Sequence, residues 1–193
     1  MKKPLSEMTL EELWELFPIF LTEHDDRWTC FYDEMEQFLT ELLSDYQVTR
    51  ISHIGSTAVN GIWAKNIVDI LLEIDAEEDM GSVARIIENS GFIYMSSGDK
   101  RVSFNWGYTE NGFAEKVYHL HLRYAGDNNE LYFRDYLNEH SQIAKEYEQL
   151  KLDLWKKFEH DRDAYTNAKS EFVEKWTSKA RKVYSDRYGI LQN

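Results

Sequence analysis

The feature that most restricts the fold of this chain is the apolar run over residues 66–74, which carries a carboxylate in its middle. The run reads NIVDILLEI, and this density of β-branched and apolar residues is typical of a buried strand. Side chains alternate along a strand, so one face is purely apolar: Val68, Ile70, Leu72 and Ile74. The other face mixes apolar and acidic groups: Ile67, Asp69, Leu71, Glu73 and Asp75. An unpaired carboxylate is costly in a dry interior, so the mixed face is predicted to line a cleft. In the alternative, Asp69 caps nearby backbone amides.

A Gly-Ser turn, Gly55-Ser56, lies just upstream of this predicted strand. Glycine lets the backbone approach a ligand closely, and successive N–H groups with a Ser hydroxyl can hold a phosphate. Many Gly-Ser turns only connect two elements, which is the alternative here. Ser56 lacks the strand–turn–helix context of a hydrolase nucleophile.

Two histidines share one face of a later predicted strand, in the stretch YHLHL. His119 and His121 are two residues apart, so both lie on the face that carries Val117 and Arg123. Neighbouring imidazoles can ligate a metal or contact a phosphate, and two half-exposed histidines without a ligand are the alternative. Cys30 is the only cysteine, so a structural zinc site is not expected.

The whole pattern predicts an α+β domain with a mixed β-sheet, flanking helices and a helical C-terminal third. The predicted strands lie near residues 47–54, 66–74, 92–97, 102–108 and 116–124, and the last three are expected to be antiparallel because short intervals separate them. The period changes from two to 3.6 near residue 125, so the segment after 128 is predicted to be wholly helical.

Apolar stripes at helical spacing indicate which residues pack. Thr9 and Glu12 form a predicted capping box before a short helix that ends at Pro18. The next helix presents Trp28, Phe31, Met35, Phe38 and Leu42, with Cys30 on its apolar side. Residues 78–90 are predicted to form a further helix. The C-terminal stripes are Ile143, Tyr147, Leu150, Leu154 and Phe158, then, after a predicted Asp161 cap, Tyr165, Ala168, Phe172, Trp176 and Ala180.

Composition excludes several classes of protein. Hydrophobic residues make up 42% of the 193 and aromatic residues 15%, which is enough for a folded core. The net charge of −13 argues against a broad nucleic-acid-binding surface, although a local basic pocket for a small anion is compatible with it. No apolar run approaches the ~20 residues that span a bilayer, and the acidic start is unlike a signal peptide. The chain is predicted to be cytoplasmic and to contact no membrane.

Four ordered blocks of this sequence resemble the GrpB family of small bacterial proteins. They read HIGSTAVNGIWAKNIVDILLEI, YHLHLRY, YFRDYLNEHSQIAKEYEQLKLDLWKKF and DRDAYTNAKSEF. The resemblance spans roughly residues 20–180, and it divides the chain into an N-terminal extension (1–22), a GrpB-like domain (23–185) and a tail (186–193). The family belongs to the nucleotidyltransferase superfamily and is sometimes fused to dephospho-CoA kinase, so the resemblance implies a nucleotidyltransferase-like fold.

The resemblance also implies a site. In the superfamily, a Gly-Ser turn lies under the phosphates and a following strand carries two carboxylates that hold divalent metal ions. Gly55 and Ser56 match the turn and Asp69 the first carboxylate, which makes Ser56 and Asp69 the catalytic candidates. Leu71 replaces the second carboxylate. Glu73 lies on the same face but about 7 Å further along the strand, which is too far for it to substitute without rearrangement. Asn60 and Asn66 replace prolines expected in the family, and RVSFNW at 101–106 replaces an arginine-phenylalanine block.

These matches lead to two hypotheses of different class. In the first, the protein is a nucleotidyltransferase-like enzyme whose metal, Mg²⁺, Mn²⁺ or Zn²⁺, is held by Asp69, His119 and His121. In the second, it is a non-catalytic ligand-binding or regulatory module that has lost transfer chemistry, with the coenzyme A pathway as a candidate context. Both hypotheses predict that the ligand is a nucleotide or another phosphorylated small molecule. Its candidate contacts are Gly55, Ser56, Thr57, Lys65, Arg123, Arg134 and Lys169. A structural protein without a ligand ranks third, and the oligomeric state stays open.

Overall fold

The computed structural model describes residues 3–189, and within them one five-stranded sheet is flanked by helices. The strands are β1 (Val48–Ile54), β2 (Val68–Ile74), β3 (Ile93–Gly98), β4 (Arg101–Thr109) and β5 (Gly112–Tyr124). The helices are α1 (Leu10–Leu16), α2 (Arg27–Leu42), α3 (Met80–Asn89), α4 (Asn129–Glu139), α5 (Ser141–Phe158), α6 (Arg162–Asn167) and α7 (Ser170–Tyr184). The predicted N-terminal extension and tail reach outside the described range at residues 1–2 and 190–193.

The sheet is mixed, as the sequence predicts. Its strand order is β1-β2-β5-β4-β3, and every neighbouring pair is antiparallel except β2 and β5. Within the described range, no strand follows β5, so the predicted change to helix near residue 125 is confirmed. The parallel pair matters most for the site, because its register sets Asp69 beside His119.

One face of the sheet covers the main core, as the alternation in β2 predicts. Its apolar side chains from β2 are fully buried: Val68, Ile70, Leu72 and Ile74. Helix α2 covers them with Trp28, Phe31, Met35 and Leu39.

Two expectations for α2 are wrong. Phe38 remains 37% exposed, while Leu39 takes the buried position. Cys30 is exposed, because two residues on a helix turn the chain by about 200° and place it opposite Trp28.

The other face of β2 is only partly a cleft wall, which corrects the prediction for its acidic side chains. Leu71 is fully buried against Ile54 and Leu131. Glu73 is 1% exposed and accepts hydrogen bonds from the Gly126 backbone at 2.8 Å and from Asn128 at 3.0 Å. It also pairs with Arg50 at 3.2 Å. The end of this face that carries Asp69 opens into the cavity described below, and Glu73 and Asp75 line a separate, smaller pocket.

The C-terminal helices pack against each other and against the second sheet face. Trp176 of α7 is 8% exposed and stacks on Tyr136 of α4, with Phe172 beside it. The predicted stripe from Tyr165 to Ala180 is broken, because α6 ends before Ala168, which is exposed. The predicted Asp161 cap is present: its carboxylate accepts a hydrogen bond from the Ala164 backbone at 2.9 Å.

The segment before α2 is packed along the domain rather than free of it. The predicted capping box forms between Thr9 and Glu12. Phe17, Ile19 and Leu21 are 1–2% exposed, and the backbone N–H of Ile19 donates to the carbonyl of Glu159 at 2.8 Å. Among the described residues, no helix has the length and apolar character that crossing a bilayer requires.

Candidate functional site

A cavity of about 760 Å³ opens between the second face of the sheet and the C-terminal helices. From the sheet side it is lined by Gly55, Ser56, Lys65, Asp69, His119, His121 and Arg123. From the helix side it is lined by Phe133, Tyr147, Lys151, Arg162, Tyr165, Lys169 and Arg181, among others. The structure therefore brings the Gly-Ser turn, the carboxylate and the histidine pair into one space.

The parallel register of β2 and β5 places the carboxylate and the imidazoles together. Asp69 pairs with His119 and Leu71 pairs with His121, so all three polar side chains point away from the main core. Asp69 Oδ1 lies 3.0 Å from His119 Nδ1 and 3.6 Å from His121 Nε2. Burial opposes the ionisation of Asp69, but the hydrogen bonds and charges of the two histidines more than offset it and hold the pKa of Asp69 well below its usual range.

His119 connects Asp69 to an arginine through a tyrosine. Burial lowers the pKa of His119, so its imidazole is neutral near pH 7. The ionised Asp69 can only accept, so His119 donates from Nδ1 and its Nε2 accepts from the Tyr108 hydroxyl at 2.8 Å. The Tyr108 oxygen in turn accepts a hydrogen bond from Arg162 Nη2 at 2.9 Å.

Gly55 allows the turn to lie directly on Asp69. Its φ of +73° belongs to the left-handed region, and a Cβ added to it would lie 2.9 Å from both Cβ and Cγ of Asp69 and closer still to Oδ2. The adjacent Ser56 lines the cavity together with Tyr147 of α5. Only glycine fits against the Asp69 carboxylate, so this position of the turn requires glycine for a steric reason.

Half-buried lysines line the same cavity as the Asp69 carboxylate. The ammonium groups of Lys65 and Lys169 lie 5.7 Å and 4.4 Å from the ring centre of Tyr165. Burial lowers the pKa of Lys65 to about 7, with the charges of Lys169 and Arg162 adding to the effect. Burial also lowers the pKa of Lys169 to about 8, against a raising effect of Asp69. These lysines are held close together with few counter-charges.

Lys151 is a further buried cation of the cavity. The residue is 1% exposed, its ammonium group donates to the carbonyl of Trp63, and it lies 5.0 Å from the ring centre of Tyr147. Burial lowers its pKa to about 7, and the charge of Lys169 contributes. A cation in this position is costly without an anionic partner.

Three sequence-predicted ligand contacts are placed differently from the others. Arg134 lies outside the cavity lining, where its guanidinium donates to the carbonyl of His53 at 2.8 Å and pairs with Asp135. Thr57 also lies outside the lining and hydrogen-bonds His53 at 2.9 Å, so it supports the turn from behind. Arg123 lines the cavity, but its Nη1 donates to backbone carbonyls.

The arrangement of Asp69, His119 and His121 does not fit a metal ion. Across residues 3–189, no three His, Cys, Asp or Glu side chains are arranged to hold one. A ligating His119 would present a free nitrogen to the ion, whereas one nitrogen is directed at Asp69 and the other at Tyr108. The expected divalent metal therefore stays a prediction from the resemblance.

Among the cavity residues that sequence reasoning misses are Tyr147, Lys151, Arg162 and Tyr165. The helical periodicity assigns the two tyrosines to packing stripes, and they do pack, but each also presents a face to the cavity. Lys151 follows Tyr147 by four residues, so it shares the inward face of α5. That spacing is the signal the sequence offers.

Comparison with known proteins gives a consistent result. The family model described as "GrpB protein" matches residues 18–179. "Glutamate-rich protein GrpB" of Alkalihalophilus pseudofirmus is 34% identical over 81% of this chain and 92% of its own. "UPF0157 protein YqkA" of Bacillus subtilis is 28% identical over 86% of this chain, which covers 49% of that relative.

A solved structure shares the fold. The crystal structure of conserved protein GrpB from Enterococcus faecalis superposes with a TM-score of 0.74 and 28% identity, covering 86% of this chain and 99% of that one. Because the family model covers most of the sequence and the fold agrees, the chain belongs to the GrpB family.

Proposed function

We propose that this protein binds a phosphorylated small molecule, nucleotides included, in the cavity beside Asp69. The observation that carries the proposal is a cluster of four cations in the cavity wall of a chain whose net charge is −13: Lys151, which is fully buried, and Lys65, Arg162 and Lys169, which are half-buried. Holding four cations together in a partly desolvated cavity is unfavourable unless an anion joins them. A phosphate accepts several charge-assisted hydrogen bonds and supplies that partner.

The remaining walls suit an organic group attached to the phosphate. Phe133, Tyr147 and Val173 give the cavity an apolar side next to its cations. Ligand sites commonly combine such walls with a few polar groups that fix orientation. A nucleotide or a coenzyme A-related metabolite has this combination of anionic and ring-bearing parts.

Binding without nucleotidyl transfer is the form of the proposal that the site favours. Two-metal transfer needs a second carboxylate, and Leu71 occupies that position, fully buried against Leu131. Glu73 is held by Arg50 and Asn128 and cannot replace it. We therefore favour a ligand-binding or regulatory module over a nucleotidyltransferase, acting in the cytoplasm as the composition predicts.

Isothermal titration of the full chain with pyrophosphate, ATP and coenzyme A tests the proposal, each in EDTA and in Mg²⁺. We expect binding in EDTA, and a Lys169→Met variant should bind roughly tenfold more weakly because a charge-assisted hydrogen bond is lost. Lys156→Met is the matched control, since that side chain is 76% exposed. A ligand present at 100 times its Kd should also add about 2.7 kcal/mol to the free energy of unfolding.

Two outcomes would count against the proposal. If none of the three ligands binds with or without Mg²⁺, the cavity is not a phosphate site. If binding appears only with Mg²⁺ and is lost in EDTA, a metal-dependent transferase becomes the better description.

A further inference from the structure

The carboxylate expected to hold a metal ion ends a chain of hydrogen bonds that leads to an arginine. Asp69, His119, Tyr108 and Arg162 follow one another at 3.0, 2.8 and 2.9 Å. Arg162 lines the cavity beside the lysines. We propose that Asp69, His119 and Tyr108 are positioning residues that hold the Arg162 guanidinium toward the bound anion. The inference rests on the proposed function, because it concerns the same cavity.

With a neutral His119 ring, the hydrogen bonds run in one direction. An ionised carboxylate only accepts, so His119 Nδ1 donates to Asp69, and Nε2 is then the acceptor of the neutral ring. The Tyr108 hydroxyl then donates to His119, and its lone pairs are directed at Arg162. Each group therefore fixes the orientation of the next, which is how supporting hydrogen bonds orient a binding group elsewhere.

Aromatic packing restrains Tyr108, which lies in the middle of the series of hydrogen bonds. The Tyr108 ring packs against Phe17 at 4.8 Å and against Phe113 at 5.1 Å, measured between ring centres, and it stacks on His119 at 6.0 Å. The Arg162 guanidinium carbon lies 5.6 Å from the Tyr108 ring centre. Ring and hydroxyl together restrain a side chain that otherwise has high rotamer entropy.

Arg162 keeps donors for a ligand. Its guanidinium has five N–H groups, and within residues 3–189 its hydrogen bond to Tyr108 is the one formed with another side chain. A planar fork with donors to spare matches phosphate oxygens, whereas a lysine in the same place would act as a point charge. Because the Arg162 guanidinium is already held in its binding orientation, less entropy is lost when the anion binds.

A double-mutant cycle with pyrophosphate, measured by isothermal titration, tests this role. Arg162→Ala should weaken binding at least ~10-fold, and Tyr108→Phe, which keeps the ring, should weaken it about 3- to 10-fold. If Tyr108 acts through Arg162, the double variant binds no more weakly than Arg162→Ala alone. Arg162→Lys should lose most of the affinity although it keeps the charge.

Tyr118→Phe is the matched control. Tyr118 is on the same strand as His119 but faces the main core, where its hydroxyl donates to the carbonyl of Phe31 at 3.1 Å. Removing the Tyr118 hydroxyl should lower thermal stability and leave the Kd for pyrophosphate unchanged.

The possible failures are distinct. Absence of wild-type binding would overturn the proposed function itself. Wild-type binding with an unchanged Kd in Tyr108→Phe, or effects that multiply in the double variant, would overturn the positioning role. If Tyr108→Phe does not fold, an Arg162→Lys affinity equal to wild type overturns it, because a held planar fork would then be unnecessary.

Discussion

A Cβ on Gly55 would lie 2.9 Å from Asp69 Cβ and nearer still to Asp69 Oδ2, so the turn and the carboxylate are in direct steric contact. Asp69 cannot move aside freely, since its other oxygen is hydrogen-bonded to His119. The position of the turn and the hydrogen-bonded carboxylate therefore depend on each other.

Gly55→Ala should destabilise the protein by about 3 kcal/mol or more, because the clash adds to the strain of a positive φ. Gly61→Ala separates the two causes. Gly61 has a φ of +69°, and no atom lies within 4 Å of the place that an added Cβ would take, so strain alone should cost about 1–2 kcal/mol. Urea denaturation measures both. Equal losses in the two variants would show that the contact with Asp69 is not limiting.

Lys65→Met should raise stability, and the gain should shrink as the pH rises. Burial lowers the pKa of Lys65 from 10.5 to about 7. Between these pH values the unfolded chain binds the extra proton, so wild-type stability rises with pH across that window. Below about pH 7 the cost of the buried charge is present in full. The variant should therefore exceed wild type by at least ~1 kcal/mol at pH 6, and by less at pH 9.

Urea denaturation of Lys65→Met, Lys156→Met and wild type at pH 6, 7.5 and 9 gives this comparison. The exposed Lys156 position supplies the control for a lost surface charge. If the stability gain of Lys65→Met stays constant or grows with pH, the lowered pKa of Lys65 does not explain it.

Trp176→Ala should cost about 3–5 kcal/mol, since the indole is 8% exposed and stacks on Tyr136 between α4 and α7. Val183→Ala on the same helix is the comparison, because Val183 is 57% exposed and should change stability by less than about 0.5 kcal/mol. Chemical denaturation followed by circular dichroism measures the difference. A loss below about 1 kcal/mol for Trp176→Ala would mean that α7 does not depend on this contact.

Glu73→Ala should cost about 3–5 kcal/mol, because it leaves the half-buried Arg50 and the buried Asn128 amide without their acceptor. Glu73→Gln keeps the shape and one acceptor, so it should cost less than Glu73→Ala. The free energies of unfolding of the two variants, determined in urea, test this order. Neutral behaviour of both would show that Glu73 is as solvated as a residue of the cleft wall.

The sequence predicts the fold and part of the site because period-two alternation assigns faces to strands. Asp69 and His121 both lie opposite purely apolar faces, so their orientation follows once both strands share a sheet. The exposure of Cys30 could also be predicted from the sequence, because Cys30 is two positions from Trp28 and therefore lies on the opposite side of α2. The prediction that Cys30 lies on the apolar side of the helix therefore conflicts with the helical spacing itself.

Other parts of the site have no readable pattern. Helix α4 carries apolar and aromatic residues on several sides, so the sequence does not indicate that Arg134 faces His53 and not the cavity. The spacing of four residues from Tyr147 is the one signal for Lys151, and it is easily overlooked because lysine is usually a surface residue. The Tyr108 link between His119 and Arg162 depends on packing between distant segments.

The parallel pairing of β2 with β5 also has a consequence for the order of folding. Asp69 and His119 are 50 residues apart, and α3, β3 and β4 lie between them in the chain. The β4–β5 hairpin closes over a short turn, whereas the β2–β5 pair must bring together the ends of a long loop. A partly folded chain that contains the hairpin alone has no cavity. Ligand-dependent stabilisation should therefore act on the unfolding rate and leave the early folding phase unchanged.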